Sequence, residues 1–344
     1  MQLIIETLSE VPDELRHGEW QFGAPALAPG RLLAAADDAR WATGWTVARS
    51  QGRVLGVLSS RSPRSPQSAN GPHDLGERAD LLGGVLPDDP RRWVFVGSSG
   101  ELAAGVLTSR QLPPAEAAEV RSALVAEAFG RAEAAGNYPV ALYVRDPEVD
   151  SFASGLAGRA TVRPLDTTAE LPVTGGDEEE HTAALTSSQR ASCRRDRRKF
   201  SALGHRTDCV PAEDVIAEAA PLVCAVKRKY GVPDHPRLCE YRLRQWVRTL
   251  GPEACRASTV RSTDGELLVA SFFARQGTVL ESYEIGLVDE MPGRDHSYLQ
   301  AMIHGPVRYA LQHGFRSIDL GLGSSAVKQL RGAVIGTAWA VSPA

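Results

Sequence analysis

Lysine is scarce in this chain: of 38 basic residues only Lys199, Lys227, Lys229 and Lys328 are lysines, and the rest are arginines. With the high alanine and glycine content, this skew points to codon supply in a GC-rich genome rather than to function. It makes each lysine conspicuous. Cysteine is equally thin: Cys193, Cys209, Cys224, Cys239 and Cys255 are odd in number, confined to one central stretch and contain no C-x-x-C pair. That excludes a disulfide framework or zinc ribbon and leaves small packed hydrophobes as the reading. No apolar run approaches the roughly 20 residues of a bilayer span. The start, Met1-Gln2-Leu3-Ile4-Ile5-Glu6, lacks a basic region before a long apolar core, so no secretory signal is read and a cytoplasmic location is expected. There is no Walker loop, Rossmann glycine fingerprint or nucleophile elbow. His296, His304 and His313 show no ligand spacing with a second metal-binding residue, so no metal is assigned.

What is present suits a two-domain α/β protein, since 344 residues exceed what a single core commonly fills. The first half reads as a strand at 3–7, a helical stretch at 32–39, a hairpin (45–49 and 54–58), a Ser/Pro/Gly/Asp-rich loop at 59–90, strands at 93–97 and 103–109, a helix at 114–135 and a strand at 140–145. Leu165 to Gly176 reads as the linker. The second half opens with the acidic run Asp177 to Glu180 at a helix start. A strand at 207–210, helices at 212–230 and 237–250, and a hairpin across Asp264-Gly265 follow.

The most informative stretch is Leu280 to Ala333: a strand, a Pro-Gly loop, a helix from about Ser297 to Gln312, a second strand at Ser317 to Leu320, then Gly321-Leu322-Gly323-Ser324-Ser325-Ala326-Val327-Lys328. A β-α-β unit should place its strands as parallel neighbours, with ligands beyond their carboxyl ends. Those ends carry Glu284, Asp319 and the turn to Lys328. The two-residue period puts Ser282, Glu284 and Gly286 on one face and Glu281, Tyr283 and Ile285 on the other, so Glu284 can accept a proton from an attacking amine. Asp319 is a candidate catalytic carboxylate or half of a structural pair, for which Arg331 or Lys328 would serve, and Arg331 is also read as a substrate-binding residue. Lys328, expected to be partly exposed, could steady an oxyanion or bind an acceptor anion. Between Gln189 and Arg206, the cations Arg190, Arg194, Arg195, Arg197, Arg198, Lys199 and Arg206 face one acid, Asp196, in a chain of net charge -4. Guanidinium forks in such density suit phosphates.

Tyr298 in a helix ending at His313-Gly314-Phe315, then Ile318-Asp319-Leu320-Gly321, then Lys328-Gln329-Leu330-Arg331-Gly332-Ala333, together resemble the C-terminal half of Fem-like transferases. These are relatives of the GNAT N-acyltransferases and are often built from two GNAT-like domains. The resemblance spans about Gln189 to Val341. It implies two GNAT-like domains, each a mixed, mostly antiparallel sheet flanked by helices: a degenerate one at 1–165 and the transferase domain at 177–344. It also implies acyl transfer to an amine, from acyl-coenzyme A in some relatives and aminoacyl-tRNA in others. Lys328 matches a lysine those relatives keep after a glycine turn, Tyr298 a helix-start position from which it could protonate the leaving group, and Arg190 to Lys199 their basic helix. In a GNAT enzyme the loop after Gly286 would hold coenzyme A, yet Val288 to His296 offers one glycine and three acids, against the glycine-rich pattern that cradles a pyrophosphate. The expected enzyme therefore makes an amide bond with aminoacyl-tRNA as donor and no cofactor. Its acceptor is a small amine, a cell-wall precursor or specialised metabolite, and no DNA or membrane span is involved. Two alternatives stay open: an acyl-coenzyme A-dependent acetyltransferase whose site lies near Ser109 to Pro114, and a non-catalytic RNA-binding protein on the same scaffold.

Overall fold

The computed structural model describes residues 2–232 and 234–344. The chain divides into two compact units, Met1–Thr167 with Gly336–Ala344, and Thr168–Ile335.

The first unit contains β1 (Ile4–Leu8), α1 (Glu14–His17), β2 (Trp20–Gln21), α2 (Pro29–Ala36), β3 (Trp41–Ser50), β4 (Arg53–Pro63), β5 (Trp93–Val96), β6 (Leu107–Ser109), α3 (Pro114–Ala134), β7 (Tyr138–Arg145), α4 (Asp146–Gly155) and the first part of β8 (Ala160–Pro172). Strands β1, β3, β4, β5 and β7 lie side by side in that order, antiparallel except for β5 against β7. The β3–β4 hairpin turns through Gln51 and Gly52, both at positive φ (49° and 76°), the pair of left-handed conformations that a two-residue turn requires. Helix α3 starts on Pro114 and lays Val120, Leu124, Val125 and Phe129 on Leu58, Val96 and Val144, with Phe152 of α4 closing the core. Between β4 and β5 the Pro- and Gly-rich segment forms a series of short 3-10 turns, after β4 has run on to Pro63.

The stretch read as a linker is mostly strand. Ala169 and Leu171 are buried, and Glu170, Leu171 and Pro172 pair with Asp319, Ile318 and Ser317. The chain enters the second unit inside β8, ahead of the expected 177. It leaves at Ile335, so the last residues belong to the first unit rather than to a C-terminal domain running to 344.

The second unit continues with α5 (Glu178–Ala184), α6 (Ser187–Ser201), β9 (Arg206–Pro211), α7 (Ile216–Lys229), α8 (Pro236–Leu250), β10 (Cys255–Arg261), β11 (Leu267–Gln276), β12 (Val279–Leu287), α9 (Arg294–Leu299), a π turn (Gln300–His304), α10 (Gly305–His313), β13 (Ser317–Leu322), α11 (Ser325–Gln329) and the entry to β14 (Val334–Pro343). Strand order is β9-β10-β11-β12-β13-β8, antiparallel except for β12 beside β13. Period-two alternation lets the sheet feed two cores. Phe272 joins Ile216, Val223, Leu243 and Trp246 of α7 and α8, while Phe273 joins Met302, Val307 and Tyr309 of the helix on the other face. β14 goes on to pair Ala338 to Val341 with β7 of the first unit.

Candidate active site

β12 and β13 pair at Val279 with Ser317, Leu280 with Ile318 and Glu281 with Asp319, and beyond that point they share no further ladder. The two strands thus separate at their carboxyl ends, where open α/β sheets take ligands. On its other edge β12 is bulged. Ser271 faces Ile285 and Phe273 faces Ser282, so Phe272 alone opposes both Tyr283 and Glu284. Such a bulge re-aims side chains, and the expected face assignment fails here. Tyr283 stacks on Trp246 of α8 (centroids 4.7 Å apart, planes at 4°), and its neighbour Glu284 also turns to the helix layer, where Lys227 Nζ donates to it at 2.5 Å. Gly286 lets α7 come close, because a Cβ there would stand 2.5 Å from the backbone nitrogen of Val223.

Glu284 heads an alternating chain of charges. Lys227 also lies 3.9 Å from Asp234, whose carboxylate binds Arg242. Sequence reading assigned none of these three a role, although the scarcity of lysine had made Lys227 conspicuous. Next to Glu284, Ser282 keeps its Oγ buried with no hydrogen-bond partner among the described residues. The loop after β12 is tied to the end of α7 through Lys229 and Asp289 (3.1 Å), and Arg294 shares that carboxylate (3.2 Å). Tyr298, on α9, packs in a cluster with Phe200, Leu203 and Met291. Burial, reinforced by nearby Tyr230, pushes its phenol up to about 12, so it stays protonated at neutral pH.

The turn after β13 departs from expectation in the burial of Lys328 and in the partner of Arg331. Asp319 accepts from the Gly321 N–H (2.8 Å). Lys328 is buried, not partly exposed, and its Nζ donates to the Leu322 carbonyl (2.8 Å). Gly321, Gly323 and Ser324 adopt positive φ (70°, 62° and 51°), so the lysine holds a tightly wound turn. Arg331, read as a binding residue or as the partner of Asp319, is also buried and forks onto Asp196 of α6 at 2.9 and 3.1 Å. Burial alone would raise the Asp196 carboxyl. His304 and the Arg331 guanidinium outweigh it and hold that group at about 2. His304 Nε2 stands 3.6 Å and His296 Nδ1 3.8 Å from this carboxylate, beyond hydrogen-bond distance.

Helix α6 separates its cations. It begins in a capping box between Thr186 and Gln189. Arg190 turns back to the carbonyls of Ala183 and Leu185 at the end of α5, and Arg197 meets Thr182 (3.0 Å) and Glu178 (3.4 Å). Those two are structural rather than free to bind a ligand. Arg194, Arg195, Arg198 and Lys199 are exposed and form no ion pair among the described residues. Phe200, near the end of α6, clusters with Met291 of the loop at β12's carboxyl end, and just past the helix Leu203 lies 2.3 Å from where a Cβ on Gly293 would stand. Cys193, Cys224, Cys239 and Cys255 are buried, and burial raises Cys209 and Cys239 to about 11, which leaves neither as a thiolate at neutral pH.

Residues 187–329 match the family model described as an acetyltransferase (GNAT) domain. No curated protein matches the chain. Among solved structures, FemX aligns over 91% of this chain and 91% of its own, with a TM-score of 0.58 at 10% identity. A tandem GNAT protein from the clavulanic acid biosynthesis pathway aligns over 99% and 98%, at 0.54 and 13%. The C-terminal domain of a lysylphosphatidylglycerol synthetase from Agrobacterium fabrum aligns over 94% and 88%, at 0.55 and 12%. At these identities the likeness is one of fold, and the fold it gives is the mixed, mostly antiparallel α/β architecture of tandem GNAT proteins.

Proposed function

Starting from a chain whose residues 187–329 form a GNAT acyltransferase domain, we propose that it is an N-acyltransferase that makes an amide bond on an amine acceptor with aminoacyl-tRNA as the acyl donor. The observation that carries this reading is the pairing of two features of one region. The loop after β12 has a single glycine, Gly293, where a pyrophosphate would need several backbone N–H groups. Beside it, α6 presents four exposed, unpaired cations toward solvent. Phosphates spaced along a nucleic acid suit that array better than the single pyrophosphate of a coenzyme.

In this mechanism the amine attacks the ester carbonyl of the donor where β12 and β13 part. Glu284 takes the amine's proton, directly or through water, with Lys227 as its counter-ion. Tyr298, kept neutral by burial, donates to the departing ribose oxygen. Backbone N–H groups beyond the β12–β13 ladder stabilise the oxyanion. Lys328 acts as a positioning residue, fixing the turn that follows Asp319. The acceptor is a small amine such as a cell-wall precursor or specialised metabolite.

The test is binding of charged tRNA to the purified chain as a function of salt. Four phosphate contacts give a log–log slope of about -3, at roughly 0.7 to 0.9 per phosphate. Arg194→Ala with Arg195→Ala should remove about half of that slope. A flat salt response, or micromolar acyl-coenzyme A binding in its place, would overturn the donor assignment.

A further inference from the structure

Of the exposed large apolar side chains among the described residues, four fall between residues 230 and 241: Tyr230 (77% exposed), Val232 (51%), Leu238 (59%) and Tyr241 (58%). All belong to the corner where α7 passes into α8. That corner is held in shape from within, by the Val232 N–H on the Lys227 carbonyl (3.0 Å) and by Arg242 on Asp234 (3.1 Å). Leu238 and Tyr241 are three residues apart and so share one side of α8. The core stripe of the same helix is Cys239, Leu243, Trp246 and Val247, so the exposed side chains are not part of it.

Charge sets this corner apart as well. Residues 227–248 hold seven cations against Asp234 and Glu240, in a chain whose net charge is -4. Lys227, Lys229, Arg242 and Arg244 pair with acids. Arg228, Arg237 and Arg248 are exposed and form no ion pair among the described residues. An apolar and phenolic tip flanked by unpaired guanidinium groups fits a surface that is apolar beneath an anionic layer.

We propose that the α7–α8 corner docks on an anionic lipid bilayer. Tyr230, Val232, Leu238 and Tyr241 enter the headgroup boundary, and Arg228, Arg237 and Arg248 face lipid phosphates. Docking brings Lys227, in the last turn of α7, and its partner Glu284 on β12 toward the membrane. The docking does not depend on which acyl donor the enzyme uses.

The experiment is co-sedimentation of the full chain with vesicles of phosphatidylcholine alone and of equimolar phosphatidylcholine and phosphatidylglycerol. Binding should be at least about tenfold stronger to the anionic vesicles, since each surface cation adds about fivefold. Leu238→Ser with Tyr241→Ser should lower partitioning about tenfold or more while leaving the melting temperature and tRNA binding unchanged. Arg194→Ala with Arg195→Ala should leave vesicle binding intact, which separates this corner from the α6 cations. The proposal is overturned if the wild-type chain does not sediment, if the serine pair binds like wild type, or if the α6 pair abolishes binding in its place. It is equally overturned if the serine pair instead abolishes self-association or capture of a protein, with no change on vesicles.

Discussion

Lys328 and Glu284 are the two charged side chains whose neighbours decide most about the site. Lys328 is 2% exposed and supports a turn of three left-handed residues through the Leu322 carbonyl. Lys328→Ala should therefore lower stability by about 2 to 4 kcal/mol, because it leaves a cavity and strips a buried carbonyl of its donor. Urea denaturation measures this, and a change below about 1 kcal/mol would return the lysine to the surface role that sequence alone suggested. Glu284 is only partly covered, its side chain and that of Lys227 each 23% exposed. Glu284→Gln should shift stability by no more than about 1 kcal/mol. If Glu284 is the proton acceptor, kcat/KM for acyl transfer should fall by roughly 10² or more. A variant with normal turnover would remove it from the mechanism.

Helix α7 and strand β12 meet at Gly286, and their separation sets the Lys227–Glu284 contact. Gly286→Ala places a Cβ 2.5 Å from a backbone nitrogen and 2.8 Å from Leu222. Backbone cannot give way as a flexible side chain can, so α7 must shift, at about 1 to 3 kcal/mol and with loss of turnover. Gly130→Ala on α3 is the contrasting change: nothing lies within 4 Å of the new methyl group, and stability should hold or rise by up to about 1 kcal/mol. Paired thermal melts of the two variants separate crowding from helix propensity. The elements themselves were legible because their signals are local: alternation around Gln51-Gly52, the prolines opening α3, the Asp264-Gly265 hairpin, the crossover that makes β12 and β13 parallel. The bulge at Tyr283 and Glu284 was not legible, since it exists only in the register with β11. The Asp196–Arg331 pair joins residues 135 apart, and no spacing rule reaches that far. The Thr- and Pro-containing stretch of β8 looks like a linker until Leu171 and Ala169 are seen to be buried.

At the scale of the whole molecule, two buried carboxyls set opposite pH limits. Glu148 is enclosed in the first unit, with Oε2 accepting from Val106 N–H at 3.0 Å. Burial, only partly offset by that bond, raises it to about 7. Its folded form holds the proton more tightly than the unfolded chain does, so stability falls as pH rises from about 4.5 to about 7, by on the order of 3 kcal/mol. Asp196 is held at about 2 against its ordinary 3.8, so its contribution is lost as pH falls from about 4 toward 2. Across the same range burial holds His73 at about 4 and works in the opposite sense, so the Glu148 contribution is read by comparison with a variant. Glu148→Gln keeps an acceptor for Val106, and denaturation at pH 5 and pH 7.5 should show the margin of wild type over this variant narrowing at the higher value; an unchanged margin would remove Glu148 as its source.

The route of β14 bears on how the protein is made. Gly336–Ala344 completes a unit whose other residues end at Thr167. The ribosome therefore delivers the strand that covers β7 only after the entire acyltransferase unit has been translated. The part synthesised first is finished second, and during that interval β7 has an open edge able to pair with another nascent chain. Slow elongation through residues 168–335 would lengthen that exposure, which makes yield in the cell sensitive to codon choice in the unit that does not contain β7.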